Sequence, residues 1–276
     1  QTRYAIEGKP LLKYDIFQLG NVPSDPGVTE LTRDVSRLLH ERFNGHSLVE
    51  FDFSKLREGQ LLGQSNLYRR WAIGPAVREL AGNEYQLLTP AQFQLFLSLD
   101  KLPDASSTYE NLAVVVCSLE DHNVQLAHHL VNQAKIWGFE VELPMVFYNL
   151  QTVKDDKFPN GLRFDLVDTS VAYNVPILSS KSGNFDFDDP ELIKTGFPSR
   201  LGSGNGTLYM VNRGLQVLYG KANFIGTDNG SLDGLVDDRY RLSVVRGAVA
   251  PQDLEVALQT IEAEKRREED ALNARV

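Results

Sequence analysis

Residues 202–247 constrain this chain more than any other stretch, because regular anchors there alternate with positions that follow no secondary-structure period. The anchors are Gly206, Leu208, Tyr209, Gly214, Leu215, Leu218 and Leu232, then Arg241 and the run Leu242, Ser243, Val244 and Val245. The residues between Leu218 and Leu232 fit neither a helical nor a strand spacing. A long aperiodic segment that closes on an apolar strand reads as a binding surface carried by a rigid frame. Residues 241–246 should place Leu242 and Val244 on one face and Ser243 and Val245 on the other, which predicts a strand covered on both sides. Tyr209, Tyr219, Phe224, Asn223, Asn229, Asp233 and Asp237 supply aromatic area and adaptable hydrogen-bonding groups, a mixture also found in antibody paratopes.

Three motifs give this region a family likeness. It opens with Gly204-Asn205-Gly206-Thr207-Leu208-Tyr209, continues with Gly214-Leu215-Gln216-Val217-Leu218, and closes with Tyr240-Arg241-Leu242-Ser243-Val244-Val245. An acidic approach precedes it, Phe185-Asp186-Phe187-Asp188-Asp189-Pro190 through Thr195-Gly196-Phe197-Pro198. Together they resemble the variable region of proteins diversified by retroelements, whose C-terminal part adopts a C-type lectin fold. The resemblance covers roughly the last third of the chain. Tyr240 stands where that family has Gly, and Leu242-Ser243 interrupts its run of Val.

The resemblance implies a non-enzymatic ligand-binding protein that displays residues 210–238 to a macromolecular ligand, expected to be a protein. The expected contact residues are Met210, Val211, Asn212, Gln216, Val217, Tyr219, Lys221, Asn223, Ile225, Thr227, Asp228, Asn229, Ser231, Asp233, Leu235, Val236 and Asp237. Leu208, Leu215, Leu218, Leu232 and the closing strand would form the frame. The expected fold class is α+β, lectin-like over residues 106–248, with an N-terminal region of helices and strands over 1–105 that either joins that domain or stands apart. Residues 249–276 read as a helical tail with Leu254, Ala257, Leu258 and Ile261 on one face, suited to packing on the body or to oligomerisation. A structural or assembly component with a fixed lectin-like fold is the alternative reading.

Composition narrows the function classes. A chain of 276 residues with 42% hydrophobic residues has enough material for a full core. Its formal charge of −9 and scattered basic residues argue against a nucleic-acid surface, which needs clustered Lys and Arg. No apolar run is long enough to cross a bilayer. The chain begins Gln1-Thr2-Arg3-Tyr4 without the pattern of a signal segment, and no localisation is legible. The one cysteine, Cys117, ends the apolar run from Leu112 and reads as a buried structural thiol. It excludes a disulfide framework and the cysteine-pair chemistry of formylglycine-generating enzymes on a lectin-type fold.

Helices are expected over residues 28–43, ended by Asn44-Gly45; from about Gly74-Pro75 to Gly82; and from the Thr89-Pro90 cap onward. Residues 48–53 read as a strand. Strand 112–117, helix 122–137 and strand 139–147 form a β-α-β pattern that implies a parallel pair. The turn after its first strand, Ser118-Leu119-Glu120-Asp121, is acidic and lacks glycine, which excludes a dinucleotide site. Short strands are expected over 162–167 and 173–178.

Residues with catalytic or metal-binding potential are few. Adjacent His128 and His129 point about 100 degrees apart on a helix and do not share a metal. His40 and His46 flank a helix end, and His122 starts one beside Asp121. Asp186, Asp188 and Asp189, or Asp228-Asn229-Gly230 with Asp233, are oxygen-rich segments, but neither fits a twelve-residue calcium loop. They read as solvated acidic loops. No cofactor or metal is expected.

Overall fold

The computed structural model describes residues 5–6, 9–10, 15–20, 25–51, 66–83, 85–98, 102, 105–121, 123–228, 232 and 240–246. In chain order the strands are β1 (Ala5–Ile6), β2 (Lys9–Pro10), β3 (Asp15–Gln18), β4 (Tyr85–Leu87), β5 (Tyr109–Val116), β6 (Met145–Tyr148), β7 (Gln151–Lys154), β8 (Leu162–Asp165), β9 (Val171–Asn174), β10 (Gly183–Phe185), β11 (Gly206–Tyr209), β12 (Leu215–Lys221), β13 (Phe224–Asp228), β14 (Tyr240–Arg241) and β15 (Ser243–Arg246). The helices are α1 (Pro26–Phe43), α2 (Leu67–Ala81), α3 (Pro90–Ser98), α4 (Val124–Ile136) and α5 (Pro190–Thr195). The class is mixed α+β, built on a large, mostly antiparallel sheet.

That sheet runs β10-β11-β13-β12-β5-β6-β9, with β14 also paired to β5. Among the described residues, only the β11–β13 and β14–β5 pairings of this sheet are parallel. Strand β5 shows how the sheet divides the core: Val114 and Val116 enter one cluster with the inward residues of α1, α2 and α4, while Ala113 and Val115 enter another with Phe93 and Phe96 of α3 and Leu192 of α5. The side-chain period of two sends alternate residues to opposite faces. The helices of residues 1–105 therefore share their core with the later strands.

Strand β15 lies between β3 and β4 in an antiparallel sheet, which ties residues 243–246 to the first hundred residues. Leu242 and Val244 lie in the first core and Val245 in the second, as the alternation requires. Ser243 faces a buried ion pair. Its N–H and hydroxyl donate to the two oxygens of Glu110, each at 2.9 Å. Glu110 pairs with Arg70 at 3.1 Å, and Arg70 donates to the Leu88 carbonyl at 2.7 Å. Both charged side chains are fully buried. The serine that breaks the valine run thus links the closing strand to α2 and β5.

Helix α1 matches its expected span. The Asp25 side chain caps Val28 N–H, and Asn44 adopts the left-handed conformation at the far end. Helix α3 starts with reciprocal bonds between Thr89 and Gln92, a capping box. Helix α2 begins earlier than Gly74-Pro75 suggested, because Asn66 caps it by accepting from Arg69 N–H. Pro75 lies inside the helix, where it removes one backbone donor. Residues 48–49 form a turn rather than a strand: His46 O accepts from the N–H groups of Val49 and Glu50, and Arg69 binds the surrounding carbonyls.

The β-α-β expectation fails in orientation, since β5 and β6 pair antiparallel. Gly138 turns the chain out of α4 with φ +81°, and the segment 139–144 allows a further reversal before β6 begins after Pro144, which has no N–H for the ladder. Residues 162–165 form a strand, β8, in a hairpin with β7, whereas 176–179 turn into a 3-10 helix after β9. The expected tail helix over 249–276 lies outside the described residues. No helix among the described residues is long and apolar enough to cross a membrane.

Candidate functional site

Strands β11, β13, β12 and β5 carry an aromatic row. The Tyr209 and Phe224 rings stack at 6.4 Å and 26°, Phe224 and Tyr219 stack at 5.6 Å and 21°, and Tyr109 meets Tyr219 edge-on at 5.5 Å. The register accounts for this line. Gly226 pairs with Tyr209 on one side and Tyr219 on the other, so the two tyrosines flank a residue without a side chain. Phe224 fills that space: a Cβ on Gly226 would lie 2.4 Å from its ring and 3.0 Å from Tyr219 Cζ. Glycine here leaves the Phe224 ring its place between the two tyrosines. Tyr209 is 47% exposed.

Charges flank the rings. Lys221 Nζ lies 5.0 Å from the centre of Tyr109, a cation–π contact. Burial pushes the Tyr219 phenol well above its ordinary value, helped by the Asp228 charge and by Tyr109 and Tyr209. The phenol therefore stays protonated near neutral pH. Rings with polar tips and adjacent charges are chemistry for recognition.

The glycines of the opening motif hold the row's outer strand. Cβ atoms at Gly204 and Gly206 would lie 2.1 Å from the Phe185 carbonyl oxygen and 2.4 Å from the Phe185 ring, respectively. Their absence lets β11 lie against β10. The anchors Leu208, Leu215, Leu218 and Leu232 are all buried, as the frame reading expects.

The expected contact residues separate by burial. Asn212 and Asn223 are exposed, and Met210, Val211, Tyr219, Lys221 and Asp228 are half-buried. Asn212 donates to the Ser180 carbonyl at 3.2 Å, and Met210 N–H to Ser182 Oγ at 3.0 Å. Gln216, Val217, Ile225 and Thr227 are buried and do not belong to an open contact surface. The reason is position: β12 lies between β5 and β13, and β13 between β11 and β12, with core on both faces of the sheet. Gln216 donates to the Arg213 carbonyl, and Thr227 Oγ1 accepts from Val211 N–H at 2.8 Å. Asn229, Ser231, Asp233, Leu235, Val236 and Asp237 lie outside the described residues. Tyr109 was not anticipated, because nothing local in sequence signals that β5 will lie beside β12.

Other reactive groups have structural partners. Burial pushes the Cys117 thiol up to about 12, and its sulfur contacts the Val211 carbonyl at 3.8 Å. His129 bonds Asp165 at 2.9 Å, His40 bonds Glu50 at 2.9 Å, and His46 meets the Asn160 carbonyl at 2.9 Å. His128 is exposed, and His122 lies outside the described residues. Asp189 caps α5 and accepts from Ser199, while Asp186 closes a turn by accepting from Asp188 N–H. No group of three His, Cys, Asp or Glu residues among those described has the arrangement of a metal site. No protein-family model, no curated protein and no solved structure matches the chain.

Proposed function

We propose that this chain is a non-enzymatic recognition protein, and that its aromatic row binds a macromolecular ligand, a protein. The observation that carries the reading is Tyr209, nearly half exposed and aligned with Phe224 and Tyr219 on a frame whose anchors are buried. Rigid aromatic side chains provide contact area at low entropic cost, and they concentrate at interface hot spots. The motifs spanning residues 204–245 support a further proposal: the chain is the variable protein of a diversity-generating retroelement, with a C-type lectin-type fold. On this reading the exposed and half-buried positions vary, while Gln216, Val217, Ile225 and Thr227 belong to the frame.

Sequencing of the gene across a natural population tests the proposal. Substitutions concentrated at adenines within the codons for Asn212, Tyr219, Lys221 and Asn223, and rare at those for Gln216, Val217, Ile225 and Thr227, are expected. A uniform low background would overturn the diversified reading. Substitution tests the division between frame and display in the protein itself. Asn212→Ser with Asn223→Ser should alter stability by less than about 0.5 kcal/mol per site. Leu218→Ala should cost on the order of 2–4 kcal/mol. Equal losses from both sets would refute that division.

A further inference from the structure

On the second-core side of the main sheet, a cleft of about 560 Å³ opens between α3, α5 and the turn after β12. Gln94, Leu97 and Ser98 line it from positions i, i+3 and i+4, which form one face of α3. Leu192 and Ile193 of α5, with Leu102 and Ala222, supply apolar walls. Ser98, Ser106 and Asp188 are polar lining residues too, and the most buried polar side chain is Gln94, only 4% exposed. Its carboxamide has no hydrogen-bond partner among the described residues.

Gln94 is not among the side chains whose polar atoms are both sealed from solvent and unbonded, so water can meet its carboxamide in the cleft, and a ligand with a matching amide can displace that water. The volume lies within the range of small-molecule sites, which combine apolar walls with a few placed polar groups. Asp188 is among the lining residues, and its charge disfavours an anionic ligand. A pure hydrocarbon would fill the walls but leave the Gln94 donor and acceptor unmet. We propose that this cleft binds a small, neutral molecule that bears an amide on an apolar body, with the amide pairing with the Gln94 carboxamide. This site is separate from the aromatic row and does not depend on its proposed role.

The test is a titration of the ¹⁵N-labelled full chain with N-methylbenzamide, followed by NMR, with propylbenzene and benzoate as controls. Saturable shifts at the Gln94 side-chain amide and at Ala105 and Ala222 are expected, with propylbenzene about tenfold weaker and benzoate without effect. Gln94→Leu should lose about tenfold for N-methylbenzamide and bind propylbenzene more tightly. Ile193→Trp, at a half-buried wall position, should block both probes and keeps the test independent of how Gln94→Leu folds. Equal binding of N-methylbenzamide and propylbenzene, shifts that map elsewhere, or no saturable binding of N-methylbenzamide would overturn the proposal.

Discussion

Glu110→Gln should be among the most destabilising near-isosteric substitutions in this chain. In the native protein Glu110 receives Arg70 at 3.1 Å and both donors of Ser243 at 2.9 Å, with both charged side chains fully buried. Two unit charges at that separation attract by about 5 kcal/mol at an effective dielectric constant near 20. A neutral glutamine loses this attraction but avoids desolvating a carboxylate, and Arg70 keeps its bond to Leu88 O and its place over the Trp71 ring at 5.1 Å. What dominates is the Arg70 charge left without its counter-ion. Breaking one side of a buried pair typically costs about 3–5 kcal/mol, so a loss of about 4 kcal/mol is expected. That is a large part of the 5–15 kcal/mol that holds most domains.

Equilibrium unfolding in urea, followed by tryptophan fluorescence, measures this loss; Trp71 adjoins Arg70 and is itself buried. With a slope of about 3 kcal/mol per molar, the midpoint should fall by about 1.3 M. Arg70→Met with Glu110→Leu removes both charges but leaves the Ser243 N–H and hydroxyl without Glu110 and the Leu88 carbonyl without Arg70, so it should recover only part of the loss. The reasoning is refuted if Glu110→Gln costs less than about 1 kcal/mol.

Three further outcomes follow from particular contacts. Burial works to raise the Asp165 carboxyl, but hydrogen bonds from His129 and Arg163 outweigh it and hold the group down to about 2. Its folded value is therefore below its unfolded one, so the stability it contributes is present above about pH 4 and lost as pH falls towards 2. Partial exposure reduces that contribution to about 1 kcal/mol, and Asp165→Asn should flatten the stability profile across this window. Gly204→Ala should destabilise more than Gly206→Ala, since the first meets a backbone oxygen and the second a ring that can shift. Thermal unfolding of the two variants compares them directly. Cys117 should react with iodoacetamide at pH 8 at least about a hundredfold more slowly than a free thiol, because the thiolate is the nucleophile and burial suppresses it.

The sequence was most legible where the governing physics is local. The ends of α1 depend on Asp25 and Asn44, and the start of α3 on Thr89 and Gln92, all within one helical turn of what they cap. The β6 orientation and the burial of Gln216 depend on which strands lie alongside, and strand spacing within one segment carries no record of its neighbours. The burial of Val217 in β12 has the same origin, and Ile225 and Thr227 lie in a stretch without strand periodicity although β13 sits deep in the sheet. Tyr209, Tyr219 and Phe224 were legible as aromatic area. Their alignment was not, because it depends on the register that sets Gly226 between the two tyrosines.

Ser243 connects these observations. Read along the sequence, it is a polar interruption in a valine strand and a departure from the motif it resembles. In the fold it donates twice to Glu110, whose strand also carries Tyr109 at the inner end of the aromatic row. The residue after Tyr109 is thus held by a charged, hydrogen-bonded network, while Tyr109 itself packs against Tyr219 and beneath Lys221. A recognition surface needs this division between fixed backbone and free side chains, because a ring can be replaced at an exposed position without moving the strand that carries it. Placing valine at position 243 would make the sequence look more regular, yet removing the hydroxyl from Glu110 should cost about 1–3 kcal/mol. If Ser243→Val were neutral in urea unfolding, the network would be dispensable and the row would owe its alignment to strand pairing alone.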